Sequence, residues 1–255
     1  MFFVLLLAFI LGGAIGSFLN VVIDRSTRGE SILGRSYCDH CKATLSTIDL
    51  IPIISFVSFG ARCRYCKKPI SWQYPIVEGI TGALFVLAFM VVSGNGQSSL
   101  ISLTYVFFII SIAIVVAVVD FKFSLIPTSL VFLASLVALF FNYFALPTPL
   151  FIDRILAAFG VAIFFWLIVV ITRKRGMGEG DIVLGFMMGM ILGIKGGTLA
   201  VFLGFLVGAV VSLALIFFGK KHFGQTVPFA PFLVLGLLVS MFWGQRIVDV
   251  YLMLY

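Results

Sequence analysis

The chain has 255 residues, of which 62% are hydrophobic and only 11% charged, with 29 phenylalanines and a formal net charge of +7. A mean hydropathy of +1.23 excludes an ordinary soluble domain, and several apolar runs approach the roughly 20 residues that cross a hydrocarbon core of about 30 Å. The net positive charge is therefore a topological signal and gives no reason to invoke nucleic acid, because Lys and Arg orient membrane proteins.

Backbone polar groups in lipid must be satisfied within their own segment, and the runs lack the alternation of barrel strands, so the spans are helical. The fold class is an all-α polytopic membrane protein of about eight transmembrane helices. In chain order the expected spans are 2–23, 76–92, 100–119, 125–146, 151–172, 181–194, 197–219 and 229–252. The first is followed by charged sequence with no small-residue cleavage pattern and is expected to be retained as a helix. The sixth is short, since fourteen residues reach only about 21 Å, and local thinning or Lys195 snorkelling must make up the difference.

Between the first two spans lies a polar stretch, Asp24 to Tyr74, that carries eight of the seventeen Lys and Arg and all four cysteines. This reads as a small extramembrane domain over 24–75, following a first helix at 1–23 and preceding a multi-helix membrane domain at 76–255. If the domain is cytosolic, alternating spans place Lys122, Arg173 to Arg175, Lys220 and Lys221 there too, and leave only Arg154, Lys195 and Arg246 outside. That asymmetry follows the positive-inside rule.

YCDHC and RCRYC supply Cys38, Cys41, Cys63 and Cys66, two C-x-x-C pairs with zinc-ribbon spacing. A tight knuckle aims two thiolates at one ion, and a second knuckle completes a closed, structural tetrahedron. The competing reading is a pair of disulfides, which a reducing cytosol disfavours. His40 is expected to be a bystander. A domain of about fifty residues has little apolar core, so the metal is expected to supply much of its folding free energy.

Acidic groups at membrane depth are costly and point to function. Asp120 closes the third span and Asp181 opens the sixth, within GMGEGD (Gly176 to Asp181), and the alternating topology puts both on the cytosolic face. Two carboxylates brought together share one proton; the ionised partner can activate water while the protonated one polarises a peptide carbonyl. Gly178 and Gly180 suit such a loop, since glycine tolerates positive φ and lets a substrate backbone approach. The plain alternatives are an N-cap role for Asp181 and an ion pair with Lys122 for Asp120.

These residues, with GSFLNVVIDR (Gly16 to Arg25), DLIP (Asp49 to Pro52), KKPISWQYPIVEGITG (Lys67 to Gly82) and VPFAPFLVLG (Val227 to Gly236), resemble the bacterial type IV prepilin peptidases, intramembrane aspartic proteases of the G-x-G-D class. The resemblance runs over nearly the whole chain. It implies that Asp120 and Asp181 are the catalytic pair, and that the substrates are prepilins or pseudopilins entering from the lipid bilayer of the bacterial inner membrane. It also implies that many members methylate the new N-terminal amine with S-adenosylmethionine, an activity associated with the loop domain. Thr128, Val183 and Asp24 depart from the family's usual aspartate, lysine and aromatic residue. No G-x-G-x-x-G follows a predicted strand, so no dinucleotide-type cofactor site is visible, and Glu78 in YPIVEG is the candidate for holding the amine or the sulfonium; otherwise it is an interfacial acid. The reading from a different class is a non-catalytic scaffold or transporter with a zinc docking domain, which would have no need of two matched aspartates.

Overall fold

The computed structural model describes residues 1–94, 99–174, 176–219 and 227–253. Arg175, Lys220 and Lys221 of the expected cytosolic charge set lie outside the described residues. Eight helices run in order: α1 (Phe2–Arg28), α2 (Ile54–Ser58), α3 (Gln73–Gly94), α4 (Leu100–Phe123), α5 (Thr128–Ala145), α6 (Thr148–Ile171), α7 (Glu179–Phe217) and α8 (Ala230–Met253). All but the five-residue α2 are long and apolar enough to cross a membrane, and the described residues contain isolated β-bridges but no strand. The chain divides within α4, after Val115, into two compact units.

In the first unit α1 and α3 pack along a seam of small residues. A Cβ built on Gly12 would stand 2.7 Å from Gly82 Cα, and one on Gly16 2.8 Å from Glu78 Cα. With no hydrophobic force between helices in lipid, such close backbone contact supplies the van der Waals energy of association. Polar side chains extend the seam upward: Asn20 Nδ2 donates to the Tyr74 carbonyl at 3.2 Å, Gln73 Nε2 to Asn20 Oδ1 at 3.1 Å, and the Tyr74 hydroxyl to Asp24 at 2.7 Å. α1 continues past the expected end at residue 23 because Asp24 makes this bond and the next residue, Arg25, is itself buried. The Arg25 guanidinium donates to the carbonyls of Ser31, Ile32, Leu33 and Arg35, pinning the chain that leaves the helix, while Gly29 closes the helix at φ 67°.

In the second unit α7 is 39 residues long, so the structure has seven long apolar helices where eight spans were expected. The difference lies at Gly193, whose φ of 73° and ψ of −173° belong to glycine alone. The chain reverses there: a Cβ built on Gly197 would lie 3.6 Å from Gly189 Cα, a contact two turns of straight helix cannot make. α7 is thus two arms, 179–192 and 194–217, matching the expected spans 181–194 and 197–219 without a loop between them.

Side chains from neighbouring helices take up the backbone groups freed by the reversal. Asn142 Nδ2 donates to Met190 O at 2.7 Å, the Arg154 guanidinium to Ile191 O, and Ile194 N donates to Asp153 Oδ2 at 3.1 Å. Inside a bilayer an uncapped break costs several kcal/mol per orphan group, so these three residues stabilise the turn. The first arm packs on α6, where Gly189 meets the backbone of Ala157 and Ala158, and the second on α8, where Gly236 meets Ala200.

Candidate active site

Asp181 sits in the first turn of α7, where the expected N-cap is in fact Gly178. Its Oδ2 accepts the Gly178 amide at 3.0 Å, so the carboxylate closes the helix start from the third position. None of the glycines of GMGEGD has positive φ; Gly178 is extended at φ −85°. The conformational reason expected for Gly178 and Gly180 is therefore not found; at Gly180 packing takes its place, while a Cβ on Gly178 would meet only ordinary contacts. A Cβ on Gly180 would stand 2.8 Å from Cβ of Ile126, in the turn that follows α4. The other acid of the motif, Glu179, is exposed and paired with Lys174 at 2.5 Å, a surface interaction of small consequence.

Asp120 lies three residues before the end of α4 and is buried. Its Oδ2 accepts the Ala230 amide at 2.9 Å, so the first N–H of α8, which has no partner within the helix, is met by this carboxylate. The contact of Gly180 with Ile126 and the bond of Asp120 to Ala230 gather three helix ends of one unit around two buried acids. Both acids are buried at these helix ends, and among the described residues Asp181 Oδ1 has no hydrogen-bond partner. Sequence reasoning missed Ala230 and Ile126. Their signals were chain punctuation, Pro228 and Pro231 about a helix start and Pro127 after the turn, and for Ala230 its place in VPFAPFLVLG.

We expect Gly180→Ala to lower the activity of this site by about 10- to 100-fold, since a shift of one ångström at a reacting group has that effect. Pairing it with Ile126→Ala, which makes room for the new methyl, should recover most of the loss in kcat/KM.

The four cysteines lie in the first unit, free, with all four sulfurs within 4.8 Å of one another and Cys38 Sγ 3.9 Å from Cys66 Sγ. That separation is too long for a bond between those two sulfurs and matches the roughly 3.8 Å between sulfurs held about 2.3 Å from a tetrahedral ion. The two knuckles are built alike. Lys42 N donates to Cys38 O and Lys67 N to Cys63 O, both at 2.9 Å, with Lys42 and Lys67 at φ 55° and 60°. Burial of Cys63 opposes ionisation, yet the Cys66 and Tyr65 amides donate to its sulfur and bring the thiol down to about 7. His40 is exposed and outside the cluster. Nearby, Asp49 is held below the usual carboxylate range: burial works against ionisation, but the Ser46 amide and hydroxyl and the Tyr65 hydroxyl outweigh it.

Glu78 also lies in the first unit, buried in α3, with Oε2 accepting the Ile53 amide at 2.7 Å and the Ser17 hydroxyl bonded to the same group.

Fold and site define a polytopic helical membrane protein with a four-thiol cluster in one unit and a buried aspartate pair in the other. Residues 10–92 match the bacterial peptidase A24 N-terminal domain and residues 107–213 the type IV leader peptidase family. The prepilin leader peptidase/N-methyltransferase of Bacillus subtilis (strain 168) is 33% identical over 247 residues, covering 96% of each chain. The proteins of the same name from Aeromonas hydrophila and Pseudomonas aeruginosa are 30% and 28% identical, over 96% and 95% of this chain and 93% and 91% of their own. No solved structure matches. The chain belongs to the type IV leader peptidase family, and with its seven apolar helices it is a multi-pass inner-membrane protein.

Proposed function

We propose that this chain removes the short basic leader of type IV prepilins and pseudopilins with Asp120 and Asp181, and then methylates the exposed N-terminal amine. The observation that carries the reading is the gathering of two buried carboxylates, each held by one backbone amide, around Gly180 and Ile126. One carboxylate takes a proton from water as that water attacks the scissile carbonyl, and the other gives its proton to the carbonyl oxygen. The unpartnered Oδ1 of Asp181 is the acceptor free to meet that water. The family relationship supports the substrate class, and positive-inside charge bias supports the cytosolic side for both acids and for the thiol cluster.

Cys38, Cys41, Cys63 and Cys66 are proposed to hold Zn²⁺, which as a closed four-thiolate ion would order the loop rather than enter the chemistry. S-adenosylmethionine is the expected methyl donor. When bound, its sulfonium would supply an electrophilic methyl group, the S–CH3 bond breaking to leave the neutral thioether as the unprotonated amine takes the methyl and then gives up a proton. Glu78 is the candidate for holding that amine. In the Glu78→Gln enzyme methyl transfer should fall while cleavage continues; a wild-type methylation rate would leave Glu78 a structural role, holding the Ile53 amide.

Leader release from a purified prepilin in detergent, compared among wild type, Asp120→Asn and Asp181→Asn, tests the peptidase reading. A wild-type chain that releases no leader would leave a scaffold or transporter.

A further inference from the structure

Between the two cysteine pairs runs TIDLIPIISFVSF, residues 47–59, which the sequence reading placed wholly in the extramembrane domain. Asp49 is its one charged residue, and that side chain turns back to Ser46 and Tyr65. We infer that Ile48 to Val57 is a re-entrant segment that dips beside α1 and α3 and presents an apolar face to the lipid.

Depth is the first argument. A Cβ built on Gly13 would meet Pro52 Cβ at 3.4 Å. Gly13 precedes Asp24, the first charged residue of α1, by eleven positions, or about 16 Å of helix. From the other side, Ile53 is fastened to Glu78, five residues or about 8 Å inward from Gln73, and its Cδ1 lies 3.9 Å from a Cβ built on Gly79. The segment therefore sits level with the small-residue seam of two membrane helices. Thirteen residues, nine of them apolar with Pro52 counted, are too few to cross and are the length of a segment that enters and returns.

Backbone chemistry agrees. Irregular chain at membrane depth needs its polar groups satisfied by protein. Pro52, at the contact with α1, has no N–H. Ile53 adopts φ 61°, a conformation a β-branched residue rarely takes, and the buried Glu78 carboxylate receives its amide there. Ser55 N and Val57 N then donate to Ile51 O and Ile53 O at 3.1 Å, Phe59 N to Ser55 O at 3.0 Å and Ala61 N to Phe56 O at 2.8 Å, carrying the chain out through α2.

The exposed face names the occupant. Ile48, Ile51, Ile54 and Val57 are exposed, Ile54 at 61% and Val57 at 71%, at the level where the flanking helices meet acyl chains. Trp72, exposed and edge-on to Phe56 at 5.0 Å, stands directly before α3, the position of an interfacial aromatic anchor.

The test uses the full chain in nanodiscs of phosphatidylethanolamine and phosphatidylglycerol. Trp72, Trp166 and Trp243 are changed to Phe and Val57→Trp supplies the single reporter. Acyl-brominated lipid should remove most of the introduced tryptophan's emission and aqueous iodide almost none. In the unsubstituted protein, a lipid-borne diazirine should label the peptide 48–59. Iodide quenching without bromolipid quenching, or an unlabelled 48–59 peptide, would overturn the inference. So would protection from both quenchers that is relieved at one chain per disc, which would assign the face to a second copy, or protection that appears only with a pilin helix present.

Discussion

Leader release should fall by at least about 10³-fold in Asp120→Asn and in Asp181→Asn, because either change removes the only partner able to move a proton for the other. The double variant should be no worse than the single ones, since groups that act as one unit are not additive. Asparagine keeps the shape of each side chain, and its amide oxygen can still accept the Ala230 or Gly178 amide. A folding defect is therefore not the expected cause of the loss. Methyl transfer to a substrate already freed of its leader serves as the internal check and should proceed in both variants. Cleavage persisting in either one would remove the pair as the source of the chemistry.

The second large effect concerns the thiol cluster. Each wild-type chain should carry one zinc ion by elemental analysis. Cys38→Ser should lose it, and the two cysteine knuckles, within residues 29–46 and 60–72, should become open to limited proteolysis while the long helices stay intact. Structural zinc contributes on the order of 10 kcal/mol to small domains of this kind, far more than so small an apolar core can supply. Acidification should release the ion as protons displace it from the thiolates, at a pH well below that at which the free thiols ionise. Zinc retained by Cys38→Ser at one ion per chain would count against the tetrahedral site.

Much of this was legible because it is local. Two C-x-x-C pairs specify knuckles through backbone geometry alone, and Lys42 and Lys67 repeat the same turn. The two arms of α7 showed as two hydrophobic runs, although nothing in Gly193 alone announced a reversal without a loop. That turn depends on Asn142, Asp153 and Arg154, which belong to α5 and α6. The partners of Asp120 and Gly180 were hidden for the same reason: Ala230 is 110 residues from Asp120, and its contribution is an amide every residue but proline has. At Gly180 the sequence suggested unusual φ, whereas the structure shows close packing on Ile126, a long-range contact that the motif does not display.

The most direct test of the central claim is intact-mass analysis of a full-length prepilin after incubation with the wild-type chain and S-adenosylmethionine in nanodiscs. The account predicts a product lacking its leader and heavier by one methyl group at the new N-terminus, and an unaltered precursor when Asp120 and Asp181 are both asparagine. A precursor left whole by the wild-type protein, or one shortened equally by the double variant, would contradict it.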